Sequence, residues 1–211
     1  MKLRESGMPE ENFWETLLDA ELVLDRLGVD GTLRNVVELG CGYGTFTLPV
    51  ARRIAGVIEA VDIEPAMIER TRQRVEAAGV RNVVCALRDV MKDGFGGMPG
   101  SREACLLFNI LHGEEPVRLL TEAARAVRLD GWVLVIHWRC DPATPRGPAL
   151  DIRPRPEQVL DWARQTGLLE PHGPVLDLPP WHYGLRLRRV PDDARVHTSA
   201  TQNTPTIARC P

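Results

Sequence analysis

Three glycines, Gly40, Gly42 and Gly44, follow directly on an apolar run in the stretch VVELGCGYGTF at 36–46. Without a Cβ they let the backbone turn sharply and let a ligand lie against the main chain, the surface a nucleoside cofactor needs. An ordinary tight turn would read the same way, so spacing has to decide. The pattern is G-x-G-x-G, whereas a pyrophosphate on a helix N-terminus calls for G-x-G-x-x-G. Glu38 stands just before the turn, poor company for a pyrophosphate and tolerable beside a cation. About twenty residues on, Asp62 ends a second apolar run, placed to accept both hydroxyls of a ribose. That aspartate supports a nucleoside without choosing which.

These residues need a scaffold, and the pattern supplies one. Apolar positions at Phe13, Leu17, Ala20, Leu24 and Leu27 predict one amphipathic helix over 9–27. Strands are expected at 35–39, 57–61, 83–87, 104–110 and 132–138, separated by helices at 45–54, 65–78 and from Pro116, where Val117, Leu120, Ala124 and Val127 share a face. Strand alternating with helix implies a parallel sheet. A connection rich in proline and arginine at 139–155 leads to a helix over 156–166 stopped by Gly167. A hairpin with arms at 175–178 and 182–188 turns around Pro179 and Pro180. Residues 1–190 are expected to form one domain, and the polar, aperiodic 191–211 a disordered tail.

The chain has 211 residues, 44% hydrophobic and 26% charged, the balance of a soluble globular protein. Its first residues are polar and carry both charge signs, unlike a secretory leader, so a cytoplasmic setting is expected, with no membrane partner. A net charge of −3 and the lack of any basic stripe argue against nucleic acid. Five cysteines without CxxC pairing indicate neither a disulfide framework nor a metal site.

Taken together, 36–46, the acidic segment VDIEPAMIE at 61–69, Arg88 to Val90, and LFNILH at 107–112 resemble, in order and spacing, four motifs of the class I S-adenosylmethionine-dependent methyltransferases. The resemblance covers roughly 9–189. It implies a Rossmann-like three-layer α/β sandwich, with a seven-stranded, mostly parallel sheet and an antiparallel C-terminal hairpin, and S-adenosylmethionine as cofactor. Carried over by position, it places Gly40, Cys41 and Gly42 close to the cofactor, Glu38 near its cationic end, Asp62 on the ribose, Ile63 against the adenine and Asp89 on the adenine amino group. Met67 and Val90 complete that set, and Trp14 would cover the methionine end. Asn109 follows the fourth strand, near both that end and the acceptor.

The methyl group of such a cofactor is already activated, so transfer needs an in-line nucleophile, correct distance and exclusion of water. If the acceptor must lose a proton, His112 or His137, near the ends of strands four and five, could take it; plain packing is the alternative for both. Asn109, His112 and His137 are therefore the catalytic candidates. Arg146, Arg153 and Arg155 could meet an anionic acceptor or be merely solvated, and a small-molecule substrate is expected. The sequence is silent on oligomeric state. A catalytically silent cofactor-binding module stays open, as does an NAD-dependent oxidoreductase, which the glycine spacing and the lack of a Tyr-x-x-x-Lys pair disfavour.

Overall fold

The computed structural model describes residues 9–192, so the tail expected at 191–211 lies almost wholly outside the described residues. Five strands run parallel in the order β3-β2-β1-β4-β5: β1 (Asn35–Leu39), β2 (Val57–Asp62), β3 (Val83–Leu87), β4 (Arg102–Phe108) and β5 (Val127–Trp138). The last four residues of β1 and the last five of β4 are buried, because helices cover both faces of a parallel sheet. Side chains alternate between those faces. Val37, Leu39, Cys105, Leu107, Val133 and Val135 pack toward α6 (Pro116–Ala126) and α7 (Pro156–Thr166), while Val36, Ile58, Leu106, Leu134 and Ile136 pack toward α2 (Ala20–Leu27) and α3 (Thr47–Arg53). Ile68 of α4 (Pro65–Ala77) packs on Ala60 of β2.

Strand β8 (His182–Arg189) lies antiparallel to β5, and both β6 (Leu169–Pro171) and β7 (Leu176–Leu178) pair antiparallel with β8. The sheet thus has eight strands among the described residues, not the expected seven. Its last edge is split in two by a loop containing Gly173, at φ +78°, and Pro174. The hairpin of β7 and β8 forms as the sequence predicts.

The other differences are local. In place of one leading helix there are two, α1 (Glu11–Thr16) and α2, because Asp19 accepts the Leu22 N–H at 3.0 Å and starts a new helix while adjacent Leu17 and Leu18 both turn inward. Strand β4 ends at Phe108, two residues early, since Asn109 takes φ +56° and leaves the extended region. Strand β5 begins at Val127 with a register break against β4, where Asp130 also has positive φ. A four-residue helix, α5 (Val90–Asp93), capped by Asp89, gave no periodic signal. The strand order reverses between β1 and β4, and the crevice at the carboxyl ends of those strands is where an open α/β sheet binds its ligand.

Candidate active site

The glycine turn leaves the end of β1 in a backbone that only glycine adopts freely: Gly40, Gly42 and Gly44 have φ of +74°, +54° and +77°. Gly40 also faces the next strand closely, since a Cβ there would lie 2.9 Å from Cδ1 of Ile110. The N–H groups of Gly40 and Cys41 donate to the Val61 carbonyl, at 2.7 and 3.1 Å, which ties the turn to the end of β2. Asp62 completes the link: its carboxylate accepts the Gly42 N–H at 3.0 Å and the Glu64 N–H at 2.9 Å. Burial pushes the Asp62 carboxyl up, against the pull of these backbone donors. Glu38 is buried and accepts from Thr47 Oγ1 at 2.5 Å; desolvation pushes its carboxyl up to about 8. Cys41 is buried as well, and desolvation pushes its thiol far above the usual range.

Around this centre the other expected cofactor residues fall at strand ends. Ile63 is exposed and Met67 half-buried beyond β2; Asp89 is half-buried beyond β3, where it accepts the Met91 N–H at 3.1 Å, and Val90 is buried. Helix α1 buries no residue of its own and is held by polar contacts instead. The Tyr43 hydroxyl, from the turn, donates to the Pro9 carbonyl at 3.0 Å, and Arg70 and Arg74 of α4 pair with Glu11 and Glu15 at 2.6 and 2.7 Å. These contacts put Trp14 edge-on to Trp138, ring centroids 6.0 Å apart.

At the ends of β4 and β5 the structure brings His112 and His137 together and pairs Asn109 elsewhere. Asn109 is half-buried, and its N–H donates to the Ile136 carbonyl at 2.9 Å. His112 and His137 are both buried and face each other, Nδ1 to Nε2 at 3.4 Å. Position 137 is in phase with Val133 and Val135, so the His137 ring points under α6 and α7, beside Tyr183. Burial, with His112 next in weight, pushes it down to about 3, too low for a base near neutral pH. Strand phase thus turns the His137 ring into the core, beside His112 and Tyr183. The arginines change meaning too. Arg153 is buried, donating to the carbonyls of Pro148 (2.7 Å), Arg139 (3.1 Å) and Arg146 (3.1 Å) and to Thr144 Oγ1, which makes it the clasp of the 139–155 connection and not a solvated charge. Its guanidinium lies 5.8 Å from the Trp138 ring centre, and a Cβ on Gly147 would touch that ring at 3.0 Å. Arg155 is exposed at the start of α7.

Comparison with known proteins agrees with this layout. The family model of a methyltransferase domain matches residues 36–131, from β1 through the glycine turn, Asp62 and the end of β4 to β5. The matched segment is similar to a methyltransferase domain, and the fold is the one shared by S-adenosylmethionine-dependent methyltransferases. A structure of a SAM-dependent methyltransferase from Aquifex aeolicus superposes with a TM-score of 0.75 over 86% of this chain and 94% of that one, at 19% identity. The 23S rRNA (uracil(1939)-C(5))-methyltransferase of Pseudomonas aeruginosa is 32% identical over 140 residues, 64% of this chain and 30% of that protein. The ribosomal protein L11 methyltransferase of Citrifermentans bemidjiense is 32% identical over 100 residues, 47% of this chain and 31% of that protein. The chain thus spans about a third of the length of these curated relatives.

Two observations test whether a nucleoside cofactor suits this site. Three of the turn's five residues carry no Cβ, Gly40 being packed by Ile110 and Gly44 by Thr71, and at its end Thr45 Oγ1 is buried without a hydrogen-bond partner. Asp62 retains accepting capacity, since its two carboxylate oxygens offer four lone-pair sites to the backbone N–H groups of Gly42, Ile63 and Glu64. The residues fit. The sequence reading missed Thr45 and His182, while it offered Trp138 as an aromatic near the acceptor. Thr45 could have been noticed as the polar residue after the last glycine, but Trp138 and His182 meet only through the β5–β8 register.

Proposed function

We propose that this chain transfers the methyl group of S-adenosylmethionine to a small-molecule acceptor bound at the carboxyl ends of β4 and β5, with residues 1–190 as the catalytic domain. The observation that carries this reading is the joint formed by Gly42 N–H and the Asp62 carboxylate at 3.0 Å, which locks a glycine cradle to a ribose-type acceptor at the sheet's switch point. The cofactor supplies an activated methyl group when bound. The chain supplies the cradle, the hydroxyl of Thr45, the acidic ends of β1 and β2, and a wall of Trp14 and Trp138 that excludes water. His137, driven neutral and turned inward, is no part of the proton path in this reading; Asn109 remains at the acceptor side, and His112 supports the core.

A small acceptor is favoured by the net charge of −3 and the absence of a basic stripe, although two relatives are named for rRNA and ribosomal protein methylation. A cytoplasmic setting fits the four described cysteines, all free, and no described helix is long and apolar enough to cross a membrane. Calorimetric titration with S-adenosylmethionine, S-adenosylhomocysteine and NAD tests the cofactor. Binding of the first two and not the third is expected, and NAD binding alone would overturn the reading. Anisotropy with a short rRNA fragment tests the acceptor class; tight, strongly salt-dependent binding would move it to nucleic acid.

A further inference from the structure

The sheet brings together two residues that lie 73 positions apart in the chain, Asn109 at the end of β4 and His182 at the start of β8. Asn109 Nδ2 donates to His182 Nε2 at 3.3 Å, while Asn109 Oδ1 is buried and has no partner. The backbone gives this side chain little freedom, because φ of +56° is unusual for a residue with a Cβ and the N–H is bonded to Ile136. His182 is 1% exposed, sits opposite Trp138 in the β5–β8 register, and packs its ring 4.2 Å from that of Trp138. Burial, with Arg139 and Arg153 nearby, keeps the imidazole neutral. A neutral imidazole that accepts at Nε2 carries its proton on Nδ1, so it has nothing to donate to the amide oxygen. With Nδ2 on His182, Oδ1 lies on the opposite side of the amide.

We propose that His182 is a positioning residue that orients the Asn109 amide, so that Oδ1 is presented to the methyl acceptor and selects a ligand with an N–H or O–H donor at that point. This rests on reading the crevice as a methyl-transfer site. Asn109 is well placed for it: the next residue, Ile110, packs against Gly40 of the cofactor cradle. The two nearby cations do not favour an anion there. Arg139 is engaged by the Asp177 carboxylate and the His182 carbonyl, and Arg153 by the acceptors of its own loop. A ligand carboxylate or ether oxygen would meet Oδ1 lone pair to lone pair, leaving a buried acceptor unsatisfied.

The test uses the full-length protein saturated with S-adenosylhomocysteine and three matched probes, benzyl alcohol, benzyl methyl ether and benzoate, read by the NMR shift of the Ile110 backbone amide. The alcohol should bind about tenfold more tightly than the other two, the difference one well-placed hydrogen bond makes. In His182→Leu the amide can turn over, and the preference should vanish or invert. Adding Asn109→Asp to that variant, which puts oxygen at both ends, should restore it. The wild-type imidazole ¹⁵N spectrum supplies a measurement free of variants, with His182 expected as the neutral Nδ1–H tautomer. An Nε2–H tautomer, equal response to alcohol and ether, or no response to any probe overturns the proposal. Failure to bind S-adenosylhomocysteine at all would instead overturn the underlying methyl-transfer reading.

Discussion

Glu38→Gln should make the free protein more stable, by an amount that grows with pH. Glu38 is 2% exposed, its carboxyl group bonded to Thr47, with Asp62 and Cys41 as its charged or ionisable neighbours. Its folded-state value of about 8 lies above the ordinary 4.5. A raised value means the folded state holds the proton more tightly than the unfolded chain. The stability this contributes is fully present below pH 4.5 and is lost as pH rises through 8. Each pH unit in that window costs about 1.4 kcal/mol, so the wild type gives up about 3 kcal/mol by pH 7 and about 4 by pH 8, where the folded group is half ionised. Glutamine keeps the shape and a hydrogen-bonding end but cannot ionise. Urea unfolding of both proteins at pH 5, 6, 7 and 8 checks this, because contributions from other groups cancel in the difference. That difference should climb by about 1.4 kcal/mol per unit. Saturation with S-adenosylmethionine should flatten the climb, since a cation near Glu38 favours its charged form. Parallel curves would refute the claim that Glu38 is held protonated, and an unflattened climb would place it away from the cofactor's charge.

Asp62→Ala should weaken S-adenosylmethionine binding by about ten- to a hundredfold, the cost of a lost charge-assisted partner to the ribose, read by calorimetry on a variant whose circular dichroism is unchanged. His137 has a folded value of about 3 against an ordinary 6.5, so its contribution is intact above pH 6.5 and falls away as pH drops toward 3. Wild type should therefore lose about 2 kcal/mol by pH 5 on its account, and His137→Gln should show a correspondingly shallower acid slope in urea melts. Arg153→Lys should melt lower than wild type and admit protease in 139–155, because an ammonium cannot span the three carbonyls that the planar guanidinium holds; an unchanged melting temperature would show that the clasp is not needed.

The parallel sheet, the glycine turn and the acidic ends of β1 and β2 were legible in the residues alone. Those features are local: alternating strand and helix periodicity, three glycines for positive φ, and a short link from β2 back to the turn. Boundaries at 35–39, 83–87 and 156–166 were legible for the same reason. Tertiary structure decided what depends on strand phase and on pairing between distant segments. A one-residue step along β5 sends His137 under α6 and α7 and Trp138 to the opposite face, and periodicity near the end of a fully buried strand cannot say which face opens on the crevice. Asn109 and His182 meet only because β8 inserts antiparallel beside β5. Arg153 looked like surface charge because nothing local reveals that its loop folds back to offer three carbonyls. Burial and register are properties of the assembled sheet, and they set the protonation and direction of the side chains that line the site.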